Sequence, residues 1–510
     1  MSGKFEAPRG GARRNPQSGS RQSRQPQQSQ PRRSGNQPPR GGSYTQRRKS
    51  NPLLPILLIL LILLLLAGLG FAAWKILGSR DDTLSDPVQT GGDTLATQDT
   101  TPTTQATQPP TETTMPEPEH VVATATVSAT GDMLMHKPII TAAQTSDGYN
   151  FDFIFKYLKP YSQKTDYAVA NLETTLAGSS KPYQGYPYFN CPDEIVTAAK
   201  DAGFDMFLTA NNHSFDTGKD GYLRTLEVVQ DAGMDTLGTM ASAEDPKYAI
   251  KDINGIRIGI FCYTYETSDG TGSVPSLNGL PMNGLGYENL NCYLPSDPSR
   301  MYAEVEQYLG EMKEAGVEAT IMFIHWGPQE YALTQPAAHV AIAQKLCDLG
   351  IDVIIGGHPH VVQPMDLLTS TVDPEHKTVC LYSMGNAVSN QRREKMNLNT
   401  GHTEDGAMFT VTFEKYSDGT VYLAGAELLP TWVNMHTGDA GVEYNILPLD
   451  DSTREEWQTM YQLTDREYER ALGSYDRTAA ITGAGMAEIQ QALLGAKTAR
   501  DEAYLAAVGR

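Results

Sequence analysis

A chain of 510 residues with 40% hydrophobic residues has room for two to four structural units and one sizeable core. Its net charge of −20 is unevenly spread. Residues 1–50 hold about a dozen Lys and Arg against one acid, Glu6, so the remainder is strongly acidic and disfavours a nucleic acid partner. The five cysteines (Cys191, Cys262, Cys292, Cys347 and Cys380) are scattered without a C-x-x-C pair, which argues against a dense disulfide framework or a zinc ribbon.

In chain order, residues 1–51 are rich in Arg, Gln, Pro, Ser and Gly, and are expected to form a disordered basic segment. Residues 52–75 are almost purely apolar, long enough for one transmembrane helix and too long for an ordinary signal-peptide core. Arg47, Arg48 and Lys49 flank the run on one side, and Asp81, Asp82 and Asp86 on the other. The basic flank places the N-terminus in the cytoplasm and the bulk of the chain outside, as a single-pass protein of the cell membrane. Residues 76–120, dominated by Thr, Pro, Gln and acids, read as an extracytoplasmic linker.

A folded domain is expected over 121–450. Short apolar runs recur at Ala123–Thr130, Tyr167–Ala170, Met206–Leu208, Ile256–Cys262, Thr320–Ile324, Val353–Ile355, Thr378–Tyr382, Phe409–Phe413 and Tyr422–Leu428. Helical patterns at Asp193–Ala202, Gly221–Ala232, Met301–Ala315 and Ala338–Leu349 each end at a glycine, the usual left-handed cap. This alternation predicts an α/β fold. The tail, 451–510, is expected to be two helices divided near Gly473 and Thr482–Gly485. A stripe of Trp457, Tyr461, Leu463, Tyr468 and Leu472 would cap the domain.

The unusual polar residues fall directly after the strand runs. They are Asp132, Asn171 and Glu173, Asn212 and His213, His325, and His358 with His360. Ligand sites in open α/β sheets lie beyond the carboxyl ends of strands, so five strands would deliver these groups to one edge. In an extended segment His358 and His360 point the same way, with Pro359 stiffening the chain between them. Asn212 and His213 would diverge, one towards an ion and one towards substrate, with Asp216 placed to orient the imidazole. Carboxylate, amide oxygen and neutral imidazole suit a divalent transition metal (Mn, Fe or Zn), and the set is large enough for two ions sharing a carboxylate. No G-x-S-x-G or P-loop motif offers another chemistry.

The segments SATGDMLMH, VANLETTLAG, TANNHSFDTG, FIHWGPQEY, IIGGHPHVVQP and LYSMGN, in this order, resemble the CapA family of capsule and poly-γ-glutamate biosynthesis proteins. That family is similar to the calcineurin-like metallophosphoesterases. The resemblance implies a four-layer α/β/β/α sandwich and a metal-dependent hydrolase tied to an anionic cell-surface polymer or its synthesis machinery. It implies Asp132, Glu173, Asn212, His325, His358 and His360 as metal ligands and His213 as the group that protonates a leaving group. Asn171 competes with Glu173 for the bridging role. The wider superfamily has Asp-x-His in its first motif; here that His position is Leu134, and His136, two residues on, is the candidate substitute. A non-catalytic accessory subunit, binding or exporting an anionic polymer through bound metal, is the alternative.

Overall fold

The computed structural model describes residues 120–507 apart from 269–270, 397 and 439–440. The expected basic segment, the transmembrane helix at 52–75 and the linker up to residue 119 lie outside the described residues. Among those described, no helix is long and apolar enough to cross a membrane.

The chain first lays down β1 (Val121–Met133), α1 (Lys137–Ala142), α2 (Asp152–Phe155), α3 (Lys159–Ser162), β2 (Tyr167–Leu172), α4 (Glu194–Asp201), β3 (Met206–Leu208), α5 (Gly218–Asp231) and β4 (Asp235–Leu237). It continues into a second group: β5 (Ala249–Ile253), β6 (Ile256–Tyr265), the small hairpin β7 (Ser276–Leu277) and β8 (Leu280–Pro281), β9 (Cys292–Tyr293), α6 (Ser299–Glu314), β10 (Ala319–His325), α7 (Ala337–Leu349), β11 (Val353–Gly357), β12 (Met365–Thr369) and β13 (Lys377–Leu381). The chain then returns through β14 (Asn386–Val388), β15 (Asp405–Tyr416), β16 (Val421–Gly438) and β17 (Gly441–Pro448) to α8 (Trp457–Met460) and α9 (Asp465–Ala507).

Two mixed sheets result. The first runs β17-β16-β15-β1-β2-β3-β4 with β14 beside β1, and the second runs β12-β13-β11-β10-β6-β5 with β9 beside β6. The period-two alternation of each strand decides what it covers. Ala125, Val127, Ala129 and Val169 of the first sheet meet Ile258, Ile260, Ile321 and Phe323 of the second in one apolar layer. The opposite residues, such as Ala168, Ala170 and Phe207, pack with Ile139, Phe155 and Ile195 from α1, α2 and α4. On the second sheet Phe261, Tyr263 and Met322 pack with Met301, Val305, Ile342 and Leu346 from α6 and α7. The fold is mixed α/β. The four expected helices all occur, and the glycines after them, Gly203, Gly233, Gly316 and Gly350, all have left-handed φ between 73° and 100°.

The tail differs from expectation. α9 is one continuous helix of 43 residues rather than two. Gly485 serves close packing instead of a break: a Cβ there would lie 2.1 Å from the Met365 carbonyl oxygen on β12. Buried Asp405 at the start of β15 accepts Arg477 Nε and Nη2 at 2.7 and 2.6 Å and Ser474 Oγ at 2.7 Å. Further along, Ile489 reaches the layer between the sheets. The stripe of Trp457, Tyr461 and Leu463 closes over Trp432, Leu447 and Leu449, as a cap. Trp457→Ala is therefore expected to cost about 3–5 kcal/mol, the range for emptying a buried aromatic site. Denaturant unfolding checks this, and a loss below about 1 kcal/mol would show that the tail is not part of the cooperative unit.

Candidate metal centre

Strand order places the chemistry. β1, β2 and β3 are parallel neighbours, as are β6, β10, β11 and β13, so the strand ends carrying polar residues align within each sheet. The β1–β2 register slips between Thr130 and Asp132, which sets Asp132 opposite Asn171. Gly131 permits this, because a Cβ there would lie 1.9 Å from the Gly385 carbonyl oxygen.

The expected groups converge. Asp132 Oδ2 lies 3.1 Å from His360 Nδ1 and accepts the His358 backbone N–H at 3.1 Å. Glu173 Oε1 is 3.7 Å from His325 Nε2 and 3.8 Å from His360 Nε2. His325 Nε2 is 2.7 Å from Asn212 Oδ1 and 3.2 Å from His358 Nδ1. All six residues are buried. His213 stands to the side, with Nδ1 2.8 Å from Asp216 Oδ2, and the same carboxylate oxygen accepts the Phe189 backbone N–H at 2.7 Å. Asp216 thus sits where an imidazole-orienting carboxylate would.

Among the described residues, two groups of three have ligand atoms within 4.8 Å of one another: Glu173, His358 and His360, and Asp132, Glu173 and His325. Glu173 belongs to both. Its Oε1 and the Nε2 of His358 are buried without a hydrogen-bond partner, an arrangement that a cation would satisfy. Burial, then the Asp132 charge, raises the Glu173 carboxyl well above its usual pKa. Burial drives His325 down to about 3 and His358 well below the ordinary imidazole value, so both are neutral and able to ligate. Burial opposes ionisation of Asp132 too, but hydrogen bonding from His360 and the nearby imidazoles outweigh it and lower its pKa. The donor set therefore fits a divalent cation better than it fits an empty apolar interior.

Two expectations of extended backbone need correction, and two residues left open by the sequence, Asn171 and His136, find their places. His358 and His360 are not extended; their φ values are 91° and 57°. β11 ends at Gly357, and the turn is held by the His358 N–H on Asp132 and by Tyr331 N–H on the Pro359 carbonyl at 2.8 Å. Both rings still face the same centre, 5.8 Å apart. Asn212 and His213 also lie in a turn, with Asn212 Oδ1 on His325 Nε2 and His213 Nδ1 on Asp216 Oδ2. Asn171 has both ends engaged, its Nδ2 donating to Asp132 Oδ1 at 2.8 Å and its Oδ1 accepting Asn211 Nδ2 at 3.1 Å, so it braces Asp132. His136 Nδ1 accepts the Asn390 backbone N–H at 3.3 Å, and the residue lies outside both candidate ligand groups.

Two aromatic walls are not marked in the sequence. The Tyr265 ring lies 4.9 Å from that of His358 and stacks on His325 at 6.5 Å, in space left by Gly327. Phe189 meets the His213 ring edge-on at 4.7 Å. No local pattern singles out either one, because each arrives from a separate loop or strand.

The family model described as bacterial capsule synthesis protein PGA_cap matches residues 126–391, just over half of the chain. The chain belongs to this family. All eight residues of the candidate site fall inside the match. Within the family the chain is 26% identical over 272 residues to the capsule biosynthesis protein CapA of Bacillus anthracis, covering 52% of this chain and 60% of that relative. It is 28% identical over 272 residues to the PGA biosynthesis protein CapA of Bacillus subtilis (strain 168), covering 52% and 63%. A probable polyglutamine synthesis accessory protein of Mycobacterium tuberculosis is 26% identical over 212 residues, covering 40% and 52%. The chain thus spans about three fifths of the length of its two Bacillus relatives. Kinship with the metallophosphoesterases is consistent with PGA_cap membership.

Proposed function

We propose that this PGA_cap protein is a membrane-anchored, extracytoplasmic hydrolase of the phosphoesterase type that depends on divalent metal and works in the synthesis of capsule or poly-γ-glutamate. The observation that carries the reading is Glu173, a buried carboxylate with one unpartnered oxygen that belongs to both ligand groups. We read the two stacked sheets and their outer helices as the four-layer metallophosphoesterase-like sandwich. Asp132, Glu173, Asn212, His325, His358 and His360 would hold two ions of Mn, Fe or Zn. Such ions, when bound, supply an activated water at neutral pH and offset charge on the reacting oxygens. His213, held through Nδ1 by Asp216, presents Nε2 as the proton donor to the leaving group. Asn171 and Tyr265 keep the ligand side chains oriented. The apolar run at 52–75 would anchor the chain, with the domain outside.

Metal analysis of the purified full chain tests the centre. Asp132→Ala and His358→Ala are each expected to lose at least one ion relative to wild type, and unchanged Mn or Zn content in both would overturn the assignment. The accessory reading keeps one support: Leu134 occupies the position where a metallophosphoesterase carries a first-motif His. Metal-loaded protein is expected to hydrolyse at least one member of a panel of phosphoesters and polyglutamate amides. Binding of polyglutamate with no turnover across that panel would establish the accessory role instead.

A further inference from the structure

Asn212 is an ambiguous ligand. Its side-chain oxygen attracts a cation and its NH2 group repels one, so whatever grips the amide decides whether it can bind metal at all. The grip on its NH2 group comes from outside the two sheets. The β7–β8 hairpin turns through Asn278 and Gly279, both in the left-handed region at φ 48° and 74°, as an Asn-Gly turn between strands requires. Thr267 fastens the hairpin, its N–H donating to the Ser276 carbonyl at 2.8 Å and its hydroxyl accepting the Gly279 N–H at 2.8 Å. At the tip, Asn278 Oδ1 accepts Asn212 Nδ2 at 3.2 Å, while Asn212 Oδ1 faces His325 Nε2 at 2.7 Å.

We propose that Asn278 is a positioning residue, which locks the Asn212 amide with its oxygen turned towards the metal centre. The proposal rests on the reading of the site as a metal centre. Asn278 Nδ2 also approaches His213 Nδ1 at 3.4 Å. That nitrogen carries at most one hydrogen, and Asp216 Oδ2 at 2.8 Å takes it, so the directed bond of Asn278 is the one to Asn212. The two amides have only two matched arrangements: Asn278 oxygen to Asn212 NH2, or the reverse. Only the first leaves an oxygen for the ion.

Two substitutions separate this role from the turn itself, since Gly and Asp both tolerate left-handed φ. Asn278→Gly keeps the turn and removes the grip. Asn278→Asp keeps an acceptor and, having no NH2, permits only the arrangement with the Asn212 oxygen inward. Titrating Mn2+ into the metal-free full chain, with the melting temperature followed in parallel, gives the readout. Asn278→Gly is expected to bind the weaker ion about 10–100-fold less tightly, the usual cost of losing a group that orients a ligand. Asn278→Asp is expected to bind at least as tightly as wild type, and neither should melt differently when metal-free. Wild-type affinity in Asn278→Gly would overturn the role of Asn278 while leaving the metal centre standing. Equal weakening in both variants would do the same, because the amide orientation would then not be what matters. Wild-type protein that takes up no Mn2+, Zn2+ or Fe2+ would overturn the metal reading and this role together.

Discussion

Glu173→Gln is expected to abolish uptake of both ions while leaving the metal-free fold intact. The carboxyl is buried and belongs to both ligand groups, so removing its charge affects both positions at once. The fold survives for the reason the pKa of Glu173 is high. Burial, then Asp132, pushes the acid well above its usual range, so the metal-free interior favours the neutral form, which a glutamine nearly matches in shape and polarity. A metal takes the ionised carboxylate, so wild-type affinity should rise with pH and fall as acid protonates Glu173. A ligand at 100 times its Kd stabilises a protein by about 2.7 kcal/mol for one site, which is visible as a metal-dependent rise in Tm. That rise should vanish in Glu173→Gln, with Tm unchanged in chelator. A variant that still binds one ion with wild-type affinity would remove Glu173 from the shared position.

His213→Ala is expected to keep its metal and lose about 10²–10⁴ in turnover, the range for one general acid. The separation is geometric. His213 lies outside both ligand groups, and its Nδ1 is committed to Asp216 at 2.8 Å, which leaves Nε2 for the substrate. Phe189 limits rotation of the ring from one side. Asp216→Asn should retain more activity than His213→Ala, because it removes only the orienting charge. His360→Ala, by contrast, should lose metal and turnover together. Parallel metal content and rate measurements decide between these roles. Equal metal loss in the His213 and His360 variants would make His213 a ligand, and an active His213→Ala would remove it from the mechanism.

Much of the site is legible in the order of the amino acids, because parallel strands deliver the residues after them to one edge. Met206–Leu208 and Val353–Gly357 end where the next residues turn polar; parallel register aligns such ends within each sheet, and the packing of the two sheets carries both sets together. The four glycines after helices are equally legible, since the left-handed cap is a local property of one residue. Asn278-Gly279 between Leu277 and Leu280 is a hairpin signal as well, but its partner at Asn212 is 66 residues away. The α/β class, the strand-end placement of the candidate ligands and the apolar run at 52–75 are thus properties of the linear chain. Four features belong to the folded chain instead: which oxygen of Glu173 stays unpartnered, the left-handed backbone from which His358 and His360 reach the centre, the bracing rather than competing role of Asn171, and the unbroken course of α9 past Gly473 and Gly485. The difference is one of range. Periodicity and capping depend on neighbours in the chain, whereas an amide's orientation, a turn's φ or a glycine's use in close packing depends on groups such as Asp132, Asn278 or Met365, which only folding brings near.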